Sequence, residues 1–269
     1  MSRSVLLLAV LGVFAFSSCA KKPVGIVTKE FTYNGGGVSM KGYLAYNGDL
    51  QGKQPGVLVV HEWWGQNEYP RERARMLAGL GYVALALDMY GDGKIANHPD
   101  NAGKFAMEVM QHMDTAKARF VAAYDLLKAQ PECDSTRIAA IGYCFGGGVV
   151  LNMALLGLPL DGVVSFHGSL PTQPPPGEEP VKAKVLVCNG ADDPFNPPAT
   201  VDQFKKLMDS VHADYKVIDY PGAKHAFTNP AADSLGKLFN IPIAYNEAAD
   251  KGSWSAMEEF LKGVFGGRQ

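Results

Sequence analysis

The chain lacks a charge of one sign. Its 269 residues carry 25 Lys and Arg against 27 Asp and Glu, for a net charge of −2. That balance provides no electrostatic footprint for nucleic acid or for an acidic surface. Histidine is scarce: the six residues are scattered, and no pair has a metal-ligand spacing, so neither a metal nor a cofactor is expected. No internal repeat is visible, and no motif sets an oligomeric state. The longest apolar run, Val5 to Phe16, falls short of the roughly 20 residues that span a membrane. Cysteine is sparse too, with four residues at positions 19, 133, 144 and 188. What remains is an ordinary 47% hydrophobic composition, compatible with one large α/β domain.

The short apolar run has the form of a targeting segment. Arg3 is a positive n-region, Val5 to Phe16 an h-region, and Ser17-Ser18-Cys19 resembles a bacterial lipobox with Phe16 where Leu is commoner. The expected division is a signal peptide over 1–19, a tether over 20–28 and a single domain over 29–269. Cys19 is then the lipidated mature N-terminus, which anchors an exported protein in the bacterial periplasm or envelope. Ordinary signal cleavage nearby is the alternative.

Export invites disulfides, but strand geometry opposes them. Cys133 precedes a strand and Cys188 sits near the C-terminal end of another. The two sheet edges are about 16 Å apart, and a disulfide needs Cα atoms within about 7 Å. Cys144 and Cys188 share an edge but are expected about 9–10 Å apart, with a strand between theirs. Three free thiols are expected.

Residues 26–33 and 38–46 alternate apolar and polar around Asn34-Gly35-Gly36-Gly37, an antiparallel hairpin signal. Apolar runs follow at 56–61, 82–88, 137–142, 162–166, 184–189 and 215–220. Separated by helix-length segments, they predict buried parallel strands joined by crossovers. Helical periodicity is clear at 114–129, and helices are also predicted at 67–80, 145–156, 199–212 and about 245–264. The loops 91–104, 170–180 and 228–243 follow strand C-termini and overhang that edge, either as a lid or as solvated connections.

The most informative stretch is Gly142-Tyr143-Cys144-Phe145-Gly146-Gly147. It has the small-x-nucleophile-x-small frame of a nucleophile elbow, with cysteine at the centre. The helix start places Phe145 N–H and a helix dipole beside the sulfur, which favours a thiolate or an oxyanion. Asp192 and Asp193 stand in a loop past the strand 184–189, and His225 in a loop past 215–220. The order nucleophile, acid, base is that of α/β-hydrolases. Asp192 is a rival to Asp193 for the acid.

Five segments now carry a resemblance: His61-Glu62-Trp63-Trp64-Gly65, Leu87-Asp88-Met89-Tyr90, the elbow, Asp192-Asp193-Pro194-Phe195 and His225-Ala226-Phe227. In that order they resemble the dienelactone hydrolase family, cysteine members of the α/β-hydrolase fold. The resemblance implies a mostly parallel eight-stranded sheet with helices on both faces. It implies Cys144 as nucleophile, Asp193 as acid, His225 as base and an oxyanion hole from the N–H groups of Trp63 and Phe145. Glu62 would match a family glutamate that contacts the resting thiol and keeps it neutral. Trp64, Tyr90, His167 and Phe227 are expected in the substrate pocket.

The chain departs from the family at two places. Members that open dienelactones carry an arginine after the Asp-x-Tyr motif and another after the triad histidine. Here Gly91-Asp92-Gly93 follows Tyr90, and Ala226-Phe227-Thr228-Asn229 follows His225. With neither cation, the expected partner is an uncharged or apolar small ester or lactone. A thioesterase or short-peptide hydrolase uses the same triad. A membrane-tethered binding protein on a retired hydrolase scaffold is the alternative from another class.

Overall fold

The structure, a computed structural model, describes residues 25–177 and 179–266. The targeting segment, Cys19 and most of the tether lie outside the described residues. Eight strands and seven helices follow one another: β1 (Ile26–Gly35), β2 (Val38–Asn47), β3 (Gln54–Val60), α1 (Glu68–Gly79), β4 (Val83–Leu87), α2 (Pro99–Gln111), α3 (Met113–Lys128), β5 (Cys133–Tyr143), α4 (Phe145–Leu155), β6 (Gly162–Phe166), β7 (Lys184–Gly190), α5 (Pro198–Ser210), β8 (Tyr215–Tyr220), α6 (Ala232–Phe239) and α7 (Glu247–Gly266). They form one sheet in the order β1-β2-β4-β3-β5-β6-β7-β8. The first strand begins at Ile26, so residues 26–28 are strand rather than tether.

The hairpin forms because Gly36 and Gly37 both take positive φ, at +58° and +81°. A two-residue turn of that type matches the twist of the strands it joins. β2 then pairs with β4 antiparallel, and every later pairing is parallel. Parallel strands are covered on both faces and read as unbroken apolar runs. Side-chain alternation along β5 shows why. Ile138 and Ala140 join the core that includes Phe120 of α3 and Val150 of α4. Ala139, Ile141 and Tyr143 join the opposite core, with Leu77 of α1 and Leu261 of α7.

Two helices stand where loops were expected. α2 starts behind Pro99, with the His98 side chain accepting the Asp100 N–H. α6 is short and carries Gly236, where a side chain would meet the Ile243 carbonyl at 2.7 Å. A glycine forced by that approach weakens helix propensity and hides the element. Among the described residues, no helix is long and apolar enough to cross a membrane.

Candidate active site

The turn from β5 to α4 has no room for side chains on its flanks. A Cβ on Gly142 would fall 2.0 Å from the Gly146 carbonyl oxygen, and one on Gly146 would fall 2.4 Å from that of Val60. Between them Cys144 takes φ +53° and ψ −118°. Such backbone costs a non-glycine residue of order 1–3 kcal/mol and tends to mark a functional site. The conformation lifts the sulfur off the C-terminal edge of the sheet, ahead of the first residue of α4. Cys144, Cys133 and Cys188 are all free thiols.

The loop after β8 brings His225 to the sulfur. Its Nε2 lies 3.0 Å from Cys144 Sγ, and its Nδ1 lies 2.8 Å from Asp193 Oδ2. Asp193 is buried and its other oxygen accepts the Phe195 N–H at 2.8 Å. The carboxylate is therefore oriented before it meets the imidazole. Asp192 is exposed and makes no comparable contact. Burial works against a charged His225, but the Cys144 sulfur and the Asp193 carboxylate outweigh it and raise its pKa to about 10.

Glu62 stands in the loop after β3. Its Oε2 accepts a hydrogen bond from Asn229 Nδ2 at 2.6 Å, while the Cys144 sulfur is paired with His225. Asn229 cannot turn away, because its Oδ1 accepts the Ala231 N–H at 2.9 Å. Glu62 and Cys144 line the same cavity, and the hydrogen bond that holds the carboxyl group there comes from Asn229. Burial raises the Glu62 pKa to about 7, although the Asn229 bond and the nearby His225 and Arg73 pull it down.

Trp63 and Phe145 flank Cys144, one in the loop after β3 and the other at the first turn of α4. His61 clamps the former loop. Its Nε2 accepts the Met89 N–H at 3.1 Å, so Nδ1 carries the proton that reaches the Glu62 carbonyl at 2.5 Å. Tyr90 Oη donates to the Trp63 carbonyl at 2.9 Å and its ring packs on Phe145.

A cavity of about 210 Å³ opens at the sulfur. Its polar lining is Glu62, Cys144, Ser169, His225 and Asn229, and its apolar walls include Trp63, Trp64, Phe195, Leu235, Ile241 and Ile243. Among the described residues, no Lys or Arg lines it. Of the four residues expected in the pocket, Trp64 is there. Tyr90, His167 and Phe227 instead lie buried behind the wall, because their rings are turned into polar or aromatic contacts beneath the loops. The 228–243 segment supplies much of the wall through Leu235, Ile241 and Ile243. The 228–243 loop was expected over this edge, and Phe195 and Asn229 stand in the sequence beside the acid and the base, but neither residue was given a place in the site. Among the described residues, no three His, Cys, Asp or Glu side chains gather as a metal-binding group.

A model of the dienelactone hydrolase family matches residues 40–265. The chain belongs to that family. Membership makes it an α/β-hydrolase of the carboxylic ester hydrolase class. It is 32% identical to the protein usf of Aquifex pyrophilus, over 87% of this chain and 96% of that one. A solved dienelactone hydrolase-like promiscuous phosphotriesterase from metagenomic libraries is 34% identical and superposes with a TM-score of 0.84, over 89% of this chain and 99% of its own. The dienelactone hydrolase of Anabaena variabilis, 21% identical with a TM-score of 0.56 over 80% of this chain and 95% of its own, shares the fold.

Proposed function

We propose that this family member hydrolyses small uncharged esters or lactones through a thioester on Cys144. The observation that carries the reading is the unbroken line of contacts from sulfur to His225 at 3.0 Å and from His225 to Asp193 at 2.8 Å. The thiolate attacks the substrate carbonyl, and the oxyanion is received by the N–H groups of Trp63 and Phe145. The tetrahedral intermediate collapses, and Nε2–H of His225 gives its proton to the departing alkoxide. For a lactone the alcohol stays tethered to the acyl group. His225 then takes a proton from water, the hydroxide attacks the thioester, and the thiolate leaves with the acid as product. Asp193 holds the imidazole in the tautomer that both steps need.

The uncharged substrate is supported by the lining, which among the described residues pairs aromatic and aliphatic walls with one carboxyl group and neither Lys nor Arg. A substrate carboxylate would meet an ionised Glu62 with no Lys or Arg to offset the repulsion, the charge of His225 being already shared by Cys144 and Asp193. Export with a lipid on Cys19 belongs to the same proposal. Mass spectrometry of the mature N-terminus tests it, and an unmodified terminus at or beyond Ala20 overturns it.

The test of the activity is a short p-nitrophenyl ester, with the protein quenched early and digested. An acyl mass on the Cys144 peptide, lost together with turnover in Cys144→Ala, is the expected result. Turnover that survives Cys144→Ala refutes the assignment. Full binding without any acyl adduct or product favours the binding-protein alternative.

A further inference from the structure

We propose that His167 is a positioning residue that ties the backbone of the nucleophile to the loop carrying the base, and so sets the Cys144–His225 distance; this rests on the proposed function. His167 directly follows β6 and is fully buried. Its φ is +40°, a region that side chains other than Asn, Asp and Gly occupy at a cost.

The contacts fix its proton. Cys144 N–H is shared between the Phe166 carbonyl at 3.0 Å and His167 Nδ1 at 3.1 Å; a nitrogen that faces an N–H this closely is the bare one, so Nδ1 carries no proton. The ring proton therefore sits on Nε2 and goes to Thr228 Oγ1 at 2.6 Å. Thr228 is itself anchored. Its hydroxyl meets Tyr69 Oη at 2.6 Å, and its carbonyl accepts from Arg73 at 2.6 Å, which is ion-paired to Asp250 at 2.7 Å. Thr228 is three residues past His225.

Topology explains why a spacer is needed. The elbow follows β5, the base loop follows β8, and β6 and β7 lie between them. Strand spacing puts the two loops about 14 Å apart at their roots. The direct bond to the sulfur is one link across that gap. The His167–Thr228 bridge, rising from β6, is a second link that needs no substrate and no charge. Neutrality is built in, because the His167 ring lies 5.4 Å from that of His225. Burial first, then His225 and Arg73, keep its pKa well below the usual histidine range. It can thus stay a fixed acceptor and donor while His225 cycles through its charged form.

The experiment compares His167→Leu, His167→Asn and Thr228→Val in the full protein. Asn keeps an acceptor near the Nδ1 position and tolerates positive φ. Val keeps the shape of Thr228 and removes the bridge acceptor. Each is assayed for Cys144 alkylation by iodoacetamide from pH 5 to 10, for kcat and KM on the ester, and for melting temperature. His167→Leu should lose about tenfold in kcat and in alkylation at pH 7, with KM little changed, as expected for a misplaced pair. Thr228→Val should lose a similar factor, and the double variant should be no worse than His167→Leu alone, because both cut one bridge. His167→Asn should recover part of the loss.

If His167→Leu does not fold, Thr228→Val carries the test. A folded variant with an unchanged alkylation profile and kcat overturns the proposal, as do single losses that multiply in the double variant. Nitrogen NMR that shows His167 doubly protonated at pH 6–8 overturns it too. The alkylation readout needs no ester, so it separates this proposal from the choice of substrate.

Discussion

Glu62→Gln should make the protein more stable, and increasingly so as pH rises. Glu62 is buried and its pKa moves from 4.5 to about 7. An unfolded chain releases this proton near pH 4.5, whereas the folded protein keeps it until about pH 7. Across that window the folded state binds more protons, so its stability falls with rising pH and levels off above pH 7. A rise of about 2.5 pH units corresponds to about 3.4 kcal/mol at 1.36 kcal/mol per unit. Glu62 faces a water-accessible cavity on one side, which trims the effect to about 2–3 kcal/mol. Gln keeps the volume and still offers an oxygen to Asn229, but it does not titrate. The assay is urea unfolding of both forms at pH 5, 6, 7 and 8.5. The curves should nearly coincide at pH 5 and separate by about 2–3 kcal/mol at pH 8.5, equivalent to roughly 4–12 °C in melting temperature for a domain of this size. Other titrating groups act on both forms alike and largely cancel in the difference. A gap that stays constant with pH, or that favours the wild type at pH 8.5, would refute the burial argument.

Further outcomes follow from the same contacts. Among the cysteines of the fold, Cys144 alone should label with iodoacetamide at pH 7.5, because burial pushes Cys133 and Cys188 up to about 12; peptide mapping checks this, and labelled Cys188 contradicts it. His225 should stay doubly protonated through neutral pH in the free enzyme and lose a proton near pH 10, read by nitrogen NMR, and Cys144→Ala should bring that midpoint down because the sulfur is the chief attraction. Arg73→Leu should cost about 3–5 kcal/mol in denaturant unfolding, since it strands the Asp250 carboxylate and unties the Thr228 carbonyl. Pairing it with Asp250→Asn should return part of that loss.

The sheet was legible because its parallel strands are buried on both faces. β3, β4, β6 and β7 are short apolar runs. The elbow was legible because only glycine fits where backbone meets backbone. α2 and α6 were not: α6 has only eight residues with Gly236 among them, and α2 follows Gly91, Gly93 and Asn97 and begins at Pro99, a stretch that reads as loop. Pocket membership was legible only in part. A place at a strand's C-terminal end puts a residue near the site, but side-chain tilt decides whether it faces the cavity. Trp64 faces it, whereas His167, Tyr90 and Phe227 turn inward to hydrogen bonds and ring contacts. The Glu62–Asn229 pair was hidden for a different reason. Glu62 and Asn229 lie 167 positions apart, and nothing local to either one names the other.

The departures from local preference converge on one edge of the sheet. Cys144 and His167 sit at positive φ, and Glu62 is a buried carboxyl group held by a single amide. Each costs stability, and none is needed to form the sheet beneath. Thr228 and Asn229 explain how the cost is borne. These two adjacent residues tie the His225 loop to Arg73, Tyr69 and His167 through the first, and to Glu62 through the second. The segment that stands where family members place a cation therefore serves as a strut here. A strut and a carboxylate receptor make opposite demands, since a receptor arginine needs free donors facing the cavity. Asn229 gives an N–H to Glu62 and its acceptor to Ala231, and its amide carries no charge to hold a carboxylate. On the proposed function, the preference for an uncharged acyl group and the rigid Cys–His pair are one design choice, made by the residues that follow the histidine.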